Sequence, residues 1–185
     1  GPDGCIYGFP AHADRVLKVD PAARSARLIG PPLSSLLREN RNGGKYKFGG
    51  GVVDHAHGAV FCVPSDAGAV LRVDCATETV AALGEGALPR MKNKWQNGVV
   101  GPSDGCVYAI PADAPCVLRI DCAKAAAAAA RGADGADAIS LVGEGVVGDG
   151  EDKWQGGVLG DDGNIYGIPE RGHHVLKIEP AAAGP

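Results

Sequence analysis

The sequence predicts an all-β protein in which one four-stranded unit is repeated along the chain. A run that ends in proline, first found as "PDGCIYGFP" at 2–10, returns three times further along the chain. The 185 residues include 29 glycines and 13 prolines but only 2 Trp, 4 Tyr and 3 Phe. Such a composition favours many turns and short strands over long helices.

Composition and charge narrow the class of protein. Hydrophobic residues make up 45% of the chain and charged residues 22%, which is typical of a soluble globular domain. The net charge is −4 and no basic stripe is present, so we predict no nucleic-acid partner. The longest uncharged apolar stretch, the alanines at 125–130, is too short to span a bilayer, so we predict no membrane partner.

Three further runs repeat in step with the first. The proline-ended run stands at 2–10, 56–64, 103–111 and 161–169. A run first found as "VLKVD" stands at 16–20, 70–74, 117–121 and 175–179. A run that ends in glycine stands at 27–30, 81–84 and 140–143. A run first found as "KFGGGVV" stands at 47–53, 94–100 and 153–159. Length changes fall between the apolar runs, where loops tolerate insertion, so the repeat is architectural.

Each run predicts one strand of the unit. We name the strands A ("GGVV"), B ("IYGIP"), C ("VLKID") and D ("RLIG"). Asp-Gly or His-Gly between A and B indicates a tight turn, because glycine readily takes positive φ. Strands B and C are apolar at nearly consecutive positions, as expected for a sheet covered on both faces. Strand A is rich in glycine, which is typical of a strand crowded where sheets converge.

Four-stranded units of this length, arranged radially, are the blades of β-propellers. The pattern "DGxIYxIP … VLxID" resembles the blades of NHL-like, SMP-30-like and streptogramin-lyase-like propellers, and the resemblance covers nearly the whole chain. We therefore predict a β-propeller segment of about four blades, formed by three and a half repeats of about 47 residues. Each complete blade should contain four antiparallel strands, and the ring should be incomplete.

The predicted domain covers 1–185. Its repeat units are 2–53, 54–101, 102–160 and 161–185. Counted by blade, the strands run B-C-D, then two full sets A-B-C-D, then A-B-C. Such an arc leaves two apolar blade faces uncovered, so we predict self-association or further blades in a longer chain. The alanine-rich insertion at 123–138 is expected to be a mobile surface loop with one helical turn, because short isolated helices are marginal.

The cysteines and histidines are interpreted through the repeat. Cys5 and Cys106 share a position that is filled by Ala59 and Asn164 in the other units, as expected of small buried residues. We predict no disulfide among the six cysteines, and free thiols favour a reducing, intracellular compartment. His57 occupies the position of the turn aspartates, so turn chemistry explains it without a metal. No metal or cofactor is predicted.

The strongest candidate site is the Lys–aromatic pair before strand A. The predicted ligand-binding residues are Lys47, Phe48, Lys94, Trp95, Gln96, Lys153, Trp154 and Gln155. In propellers similar to this one, the D–A and B–C loops share the mouth of the central channel, which would place these residues around it. The alternative is that the aromatic wedges between blades while the lysine stem covers it. We expect partly buried indoles, with Lys94 and Lys153 reaching solvent.

The chain is predicted to be a non-catalytic binding or scaffold module that recognises a protein or a small polar ligand at the channel mouth. It contains no Ser-His-Asp order, phosphate loop or nucleotide fingerprint. The alternative is an enzyme of the lactonase or lyase type whose catalytic residues lie in blades outside this segment. The resemblance implies polar residues on inward strands, where Asn97 is the one candidate in this chain.

Overall fold

A computed structural model describes residues 1–38 and 41–181 and shows four antiparallel sheets, as predicted. Within each sheet, neighbours in space are neighbours in sequence, so every sheet is a simple up-and-down meander. The parts of the predicted repeat units at 39–40 and 182–185 lie outside the described residues.

The four sheets are called blades 1 to 4 in chain order. Blade 1 contains β1 (Ile6–Gly8), β2 (Val16–Asp20) and β3 (Ser25–Ile29). Blade 2 contains β4 (Phe48–Asp54), β5 (Ala59–Pro64), β6 (Val70–Asp74) and β7 (Val80–Leu83). Blade 3 contains β8 (Trp95–Val100), β9 (Val107–Pro111), β10 (Val117–Ile120) and β11 (Ile139–Val142). Blade 4 contains β12 (Trp154–Leu159), β13 (Ile165–Pro169) and β14 (Leu176–Ile178).

The described helices lie in the two insertions of the repeat. α1 (Leu33–Leu36) and a 3₁₀ turn (Arg41–Gly44) connect blade 1 to blade 2, and α2 (Cys122–Arg131) and a second 3₁₀ turn (Ala136–Ala138) connect β10 to β11. Within residues 1–38 and 41–181, neither helix is long and apolar enough to cross a membrane.

The prediction of one helical turn in a mobile loop at 123–138 is wrong, because α2 has ten residues. The Asp121 carboxylate caps its first turn by accepting a hydrogen bond from the Lys124 N–H, and Gly132 ends it in the left-handed conformation. One face buries Cys122, Ala125 and Ala128 against the blade. Capping at both ends and burial of one face stabilise a helix that would be marginal alone.

The core lies between the blades. Every residue of β5 is buried, as predicted for a sheet covered on both faces. Phe61 packs in one cluster with residues of blade 3, whereas Cys62 packs in another cluster with residues of blade 1. Each inner blade therefore contributes to two separate hydrophobic layers.

The innermost strands converge, as the glycine content of strand A predicts. β8 lies against β4 on one side and β12 on the other. A Cβ atom on Gly50 would stand 2.6 Å from the Cα of Asn97, which is closer than real Cβ contacts allow. Only glycine permits this approach.

The A–B turns share one hydrogen-bonded unit in three blades. The carboxylates of Asp3, Asp104 and Asp162 each accept a hydrogen bond from a tyrosine hydroxyl four residues later, at 2.8, 2.8 and 2.7 Å. Blade 2 departs from this pattern, since His57 and Phe61 replace the pair. There, His57 Nδ1 lies 2.9 Å from the carboxylate of Asp54, so the turn chemistry inferred for His57 holds.

All six cysteines carry free, buried thiols. Burial raises the pKa of Cys62 to about 12 and that of Cys116 to about 11. A raised pKa suppresses the thiolate, which is the reactive form, so these thiols are structural.

Candidate functional site

The Lys–aromatic pair stands where one blade meets the next. Phe48, Trp95 and Trp154 are the first residues of β4, β8 and β12, and the lysine precedes each of them. The backbone N–H groups of Lys47, Lys94 and Lys153 donate hydrogen bonds to carbonyls of the preceding blade, those of Ala11, Ser65 and Ala112. The loops of successive blades are therefore joined in the same way at all three junctions.

The same lysines also hold the loop of their own blade. The Lys94 carbonyl accepts hydrogen bonds from the N–H groups of Ala112 at 2.9 Å and Ala114 at 3.2 Å, both in the loop between β9 and β10. The Lys47 and Lys153 carbonyls accept the corresponding pairs in blades 2 and 4. We call the surface formed by these B–C loops and by the loops that precede strand A the junction face.

The expectation that Lys94 and Lys153 reach solvent is wrong. Lys94 is 1% exposed and its ammonium donates to three carbonyls, those of Ser65 at 2.7 Å, Ala67 at 2.9 Å and Met91 at 3.3 Å. Lys153 is buried and donates to the Gly150 carbonyl at 2.7 Å. Backbone carbonyls replace the water that a lysine normally needs.

Burial affects the charge of these lysines. Desolvation lowers the pKa of Lys47 and that of Lys153 from the ordinary value of 10.5. Lys94 lies with its Nζ 5.9 Å from the centre of the Trp95 ring, within the range of a cation–π contact. The lysine and the aromatic residue of blade 3 therefore form one packed unit.

The indoles are also more deeply buried than the partial burial we expected. Trp95 is 0% exposed and donates from Nε1 to the Cys116 carbonyl at 2.8 Å, while Trp154 is 8% exposed and donates to the His174 carbonyl at 2.8 Å. Phe48 is buried as well. The aromatic residues are wedges, each fixed to the core beside its own B–C loop.

The two glutamines differ from the other predicted site residues. Gln155 is exposed, and Gln96 is half-buried with its Nε2 donating to the Asn93 side chain at 2.8 Å. Both lie in a bulge where the pairing of strand A with strand B shifts, between Trp95 and Gly98 and between Trp154 and Gly157. A bulge interrupts the regular ladder at both positions, and at Gln96 the side chain reaches Asn93 on the junction face.

A row of polar groups on the junction face was missed in the sequence. The Asp66 carboxylate accepts a hydrogen bond from the Asn93 N–H at 2.8 Å, and the Asp113 carboxylate accepts one from the Asp152 N–H at 2.8 Å. The Asn93 side chain donates to both Asp113 and Asp152, at 3.0 and 2.9 Å. At the first junction, His12 packs edge-on against Tyr46 at 4.6 Å.

A sequence signal for this row exists. His12, Asp66, Asp113 and Arg171 stand at one repeat position, two residues after the proline that closes strand B. Their partners precede the lysine, and Tyr46, Asn93 and Asp152 all have positive φ, at 51°, 47° and 48°. Side chains at these two positions vary between blades, while the contact between the positions is kept.

A small cleft opens on the junction face between blades 2 and 3. It has a volume of about 250 Å³. Its lining residues are Tyr46, Ser65, Asp66, Lys92, Asn93 and Gln96. Of the eight predicted site residues, Gln96 is the one that lines this cleft. We call it the junction cleft.

The fold and this face together define a class of protein. Four meandering antiparallel sheets that converge on their first strands are the blades of a β-propeller, so the chain has a β-propeller fold, as the sequence predicted. No family model matches the sequence, and no curated protein is similar to it.

Solved structures agree on the fold. The chain matches a streptogramin B lyase with a TM-score of 0.59 and 10% identity, over 96% of this chain and 49% of the lyase. It matches virginiamycin B lyase from Staphylococcus aureus with a TM-score of 0.59 and 11% identity, over 96% and 52%. It matches an auxiliary nutrient-binding protein from Bacteroides ovatus with a TM-score of 0.55 and 15% identity, over 96% and 36%. The chain thus spans about half the length of the lyases, and at these identities the likeness concerns the fold alone.

Proposed function

We propose that this chain is a non-catalytic binding module that takes a small polar ligand at the mouth of the propeller channel, on the junction face. The observation that supports this most is the junction cleft, which combines residues of two blades around an ammonium, a carboxylate, amides and an aromatic ring. Concave sites with a few convergent polar groups are the usual places for small ligands.

The eight predicted site residues divide into two roles in this proposal. The buried lysines and aromatic residues position the loops, because their backbone and ammonium groups join the blades. Gln96 and Gln155 are the members that can contact a ligand, and Gln96 already lines the cleft. An amide can donate and accept at once, which suits a ligand that carries hydroxyl or amide groups.

The size and chemistry of the cleft favour a small ligand over a protein partner. A volume of about 250 Å³ is below the usual range of drug-sized sites, about 300–1,000 Å³. Lys92 and Asp66 supply opposite charges and Tyr46 supplies an exposed ring. A monosaccharide or a free amino acid has matching groups. A scaffold role with a protein partner remains the other form of the binding hypothesis.

The test is an NMR titration with a panel of monosaccharides and free amino acids. We expect at least one compound to shift the Gln96 side-chain amide, and Gln96→Ala should abolish its binding. Gln155→Ala is the matched control, because Gln155 occupies the same bulge one blade further and does not line this cleft. If no compound shifts Gln96, or if both variants bind alike, the proposed ligand site is wrong.

The alternative function is an enzyme of the lactonase or lyase type with catalytic residues in blades outside this segment. The likeness in fold to lyases of about twice the matched length supports this alternative. Asn97, exposed on β8, would be this segment's contribution. Lyase activity on a streptogramin B compound by a longer natural chain, with inward Glu, Asp or His on its other A strands, would favour the enzyme over the binding module.

A further inference from the structure

The outer part of each blade junction contains a cation on strand C. At the junction of blades 1 and 2, Lys18 lies 2.8 Å from the Asp3 carboxylate and 3.0 Å from the Glu78 carboxylate. Arg27 also pairs with Glu78, which lies in the turn between β6 and β7. Two cations are thus neutralised by carboxylates from both blades.

At the junction of blades 2 and 3, both of these carboxylates are replaced. Arg72 occupies the position of Lys18, since it pairs with Phe61 across the strands as Lys18 pairs with Tyr7. The aspartate of the A–B turn is His57 in this blade. The turn that supplies Glu78 one blade earlier is replaced in blade 3 by α2, which presents Ala126, Ala129 and Ala130 to Arg72 across a cleft.

Arg72 is therefore buried without enough hydrogen-bond partners to replace the water that its guanidinium loses. It is 5% exposed, and its Nη1 and Nη2 lie 3.4 and 3.5 Å from one oxygen of Asp74. That carboxylate is engaged in its own turn, where it accepts hydrogen bonds from Ala76 and Thr77. Among the described residues, Arg72 Nε has no hydrogen-bond partner. Burying a cationic group without full hydrogen bonding is costly, so an anion that pairs with the guanidinium would offset part of that cost.

Arg72 lines a cleft between β7 and α2, which we call the helix cleft. Its main part has a volume of about 530 Å³ and a second part a volume of about 280 Å³; Arg72, Thr79 and Ala129 line both. Val80 and Ala82 contribute apolar side chains to the wall of the main part.

Charge is distributed unevenly along the helix cleft. Glu85, Asp134 and Arg38 line the main part, and Asp74 lies in the second part, so a ligand meets carboxylates as well as two guanidinium groups. Repulsion from these carboxylates grows with the charge of the ligand, which favours a monoanion over a phosphate dianion. Alanine and valine walls favour a short aliphatic body.

We propose that the helix cleft binds a small aliphatic monocarboxylate whose carboxylate pairs with the Arg72 guanidinium. An arginine offers two parallel N–H donors to the two oxygens of a carboxylate. The Arg72 guanidinium lines this cleft, and its Nη atoms hold the Asp74 carboxylate only at 3.4 and 3.5 Å. The ligand carboxylate takes the role at this junction that Glu78 has at the previous one. This site shares no lining residue with the junction cleft and does not depend on the function proposed for it.

The test uses butyrate as the probe, with butyramide as the uncharged control and inorganic phosphate as the dianion. In the ¹⁵N-labelled protein, butyrate should shift the backbone amides of Thr79 and Ala129 in a saturable way, and butyramide should not. Arg72→Met should weaken butyrate binding at least about tenfold, the effect of one charge-assisted hydrogen bond. Lys177→Met, the matched cation of blade 4, should leave binding unchanged.

Ala129→Leu provides a second variant that keeps Arg72 but fills the cleft, and it should also weaken butyrate binding. The proposal is overturned if butyrate leaves Thr79 and Ala129 unshifted, or if Arg72→Met and the unmodified protein bind butyrate equally. It is also overturned if butyramide binds as well as butyrate, or if phosphate binds more tightly.

Discussion

At the scale of single residues, the buried lysines determine how the blades are joined. Lys94 donates to the Ser65 and Ala67 carbonyls of blade 2 while its own backbone belongs to blade 3. Lys153 donates from its ammonium to Gly150, within its own loop. The two lysines share a repeat position and the same backbone link to the preceding blade, yet the ammonium of Lys94 links two blades while that of Lys153 supports one loop.

This difference predicts unequal effects of removing the charge. Lys94→Met should lower the free energy of unfolding by about 3 kcal/mol, because it leaves buried carbonyls without a donor. Lys153→Met should lower it less. Urea unfolding of the three proteins measures both effects. Equal losses would contradict the role of Lys94 as a link between blades.

The Asp–Tyr pair of the A–B turn is a second feature at this scale. A Cβ on Gly101 would stand 2.8 Å from Asp104 Oδ1 and 3.0 Å from the Tyr108 ring, so the pair requires glycine there. Blade 2, which lacks the pair, has Asp54 at the corresponding position. Glycine, aspartate and tyrosine are thus replaced together in blade 2. The sequence contains this pattern, and a comparison of the repeats could have found it.

These carboxylates predict a loss of stability in acid. The hydrogen bond from Tyr166 lowers the pKa of Asp162 from 3.8 to about 2. The unfolded chain then takes up more protons than the folded chain between those values, so the free energy of unfolding falls as the pH falls below 3.8. Burial acts against the shift at Asp104, but hydrogen bonds from Tyr108, Cys106 and Arg119 prevail and lower its pKa as well.

Tyr108→Phe tests this interpretation. At neutral pH it should lower the free energy of unfolding by about 2 kcal/mol, because it removes a hydrogen bond to a charged group. The fall in stability on acidification should also become shallower. Tyr166→Phe, which removes the same bond at an exposed turn, should have the smaller effect at neutral pH. An acid profile unchanged by Tyr108→Phe would contradict the proposed coupling.

At the scale of elements, the sequence predicts the strands but not the contacts that side chains make with backbone carbonyls. The "VLKVD" and "VLRVD" runs form β2 and β6 over the same residues. The first four residues of β6 are buried, as expected of a strand in a sheet covered on both faces, whereas Leu17 of β2 is exposed because blade 1 is an outer blade. The depth of Lys94 was not predictable, since its partners are carbonyls of a loop 27 and 29 residues away. Every residue has a backbone carbonyl, so the sequence does not show which carbonyls will accept a hydrogen bond from a lysine.

The helix α2 shows the same limit. Its alanines indicated helix, but its length depends on the Asp121 cap, the Gly132 end and burial of Ala125 and Ala128, which are properties of the folded chain. Asp121 belongs to the repeated carboxylates that cap the turn after strand C, like Asp20, which accepts from the Ala23 N–H at 2.9 Å. In blade 3 the same residue caps a helix instead.

Removing this cap should therefore destabilise the chain measurably. Asp121→Ala should lower the free energy of unfolding by about 1 kcal/mol and reduce the helical circular dichroism signal. Asp20→Ala, which removes a carboxylate that caps a turn, should leave the helical signal unchanged. Circular dichroism measures the helical signal of both variants, and urea unfolding measures their stability. Loss of helical signal in both variants would show that the cap is not specific to α2.

At the scale of the whole molecule, apolar side chains remain exposed on the two outer blades. On blade 1 and its loops these are Ile6, Phe9, Leu17 and Leu28. On blade 4 and its loops these are Val158, Leu159, Ile168 and Val175. Large exposed apolar side chains that gather on one part of a protein are typical of interaction surfaces. We propose that a second copy or further blades cover them.

The chain alone should therefore associate as its concentration rises, and Leu28→Glu should reduce that association. Ala127→Glu, on the exposed side of α2, is the control and should not change it. Sedimentation velocity over a range of concentrations measures both. A chain that stays monomeric throughout would contradict the proposal that these faces are covered by self-association.

The central claim is that the repeated Lys–aromatic motif joins the blades and is not itself the ligand-contacting surface. Trp95 and Trp154 are the two tryptophans of the chain, so its indole fluorescence reports on this motif alone. The most direct measurement is iodide quenching of that fluorescence in the intact protein, compared with the urea-unfolded chain. The structure predicts blue-shifted emission and almost no quenching before unfolding, with full quenching afterwards. Quenching of both indoles in the intact protein as strong as in the unfolded chain would place them in solvent and contradict the account.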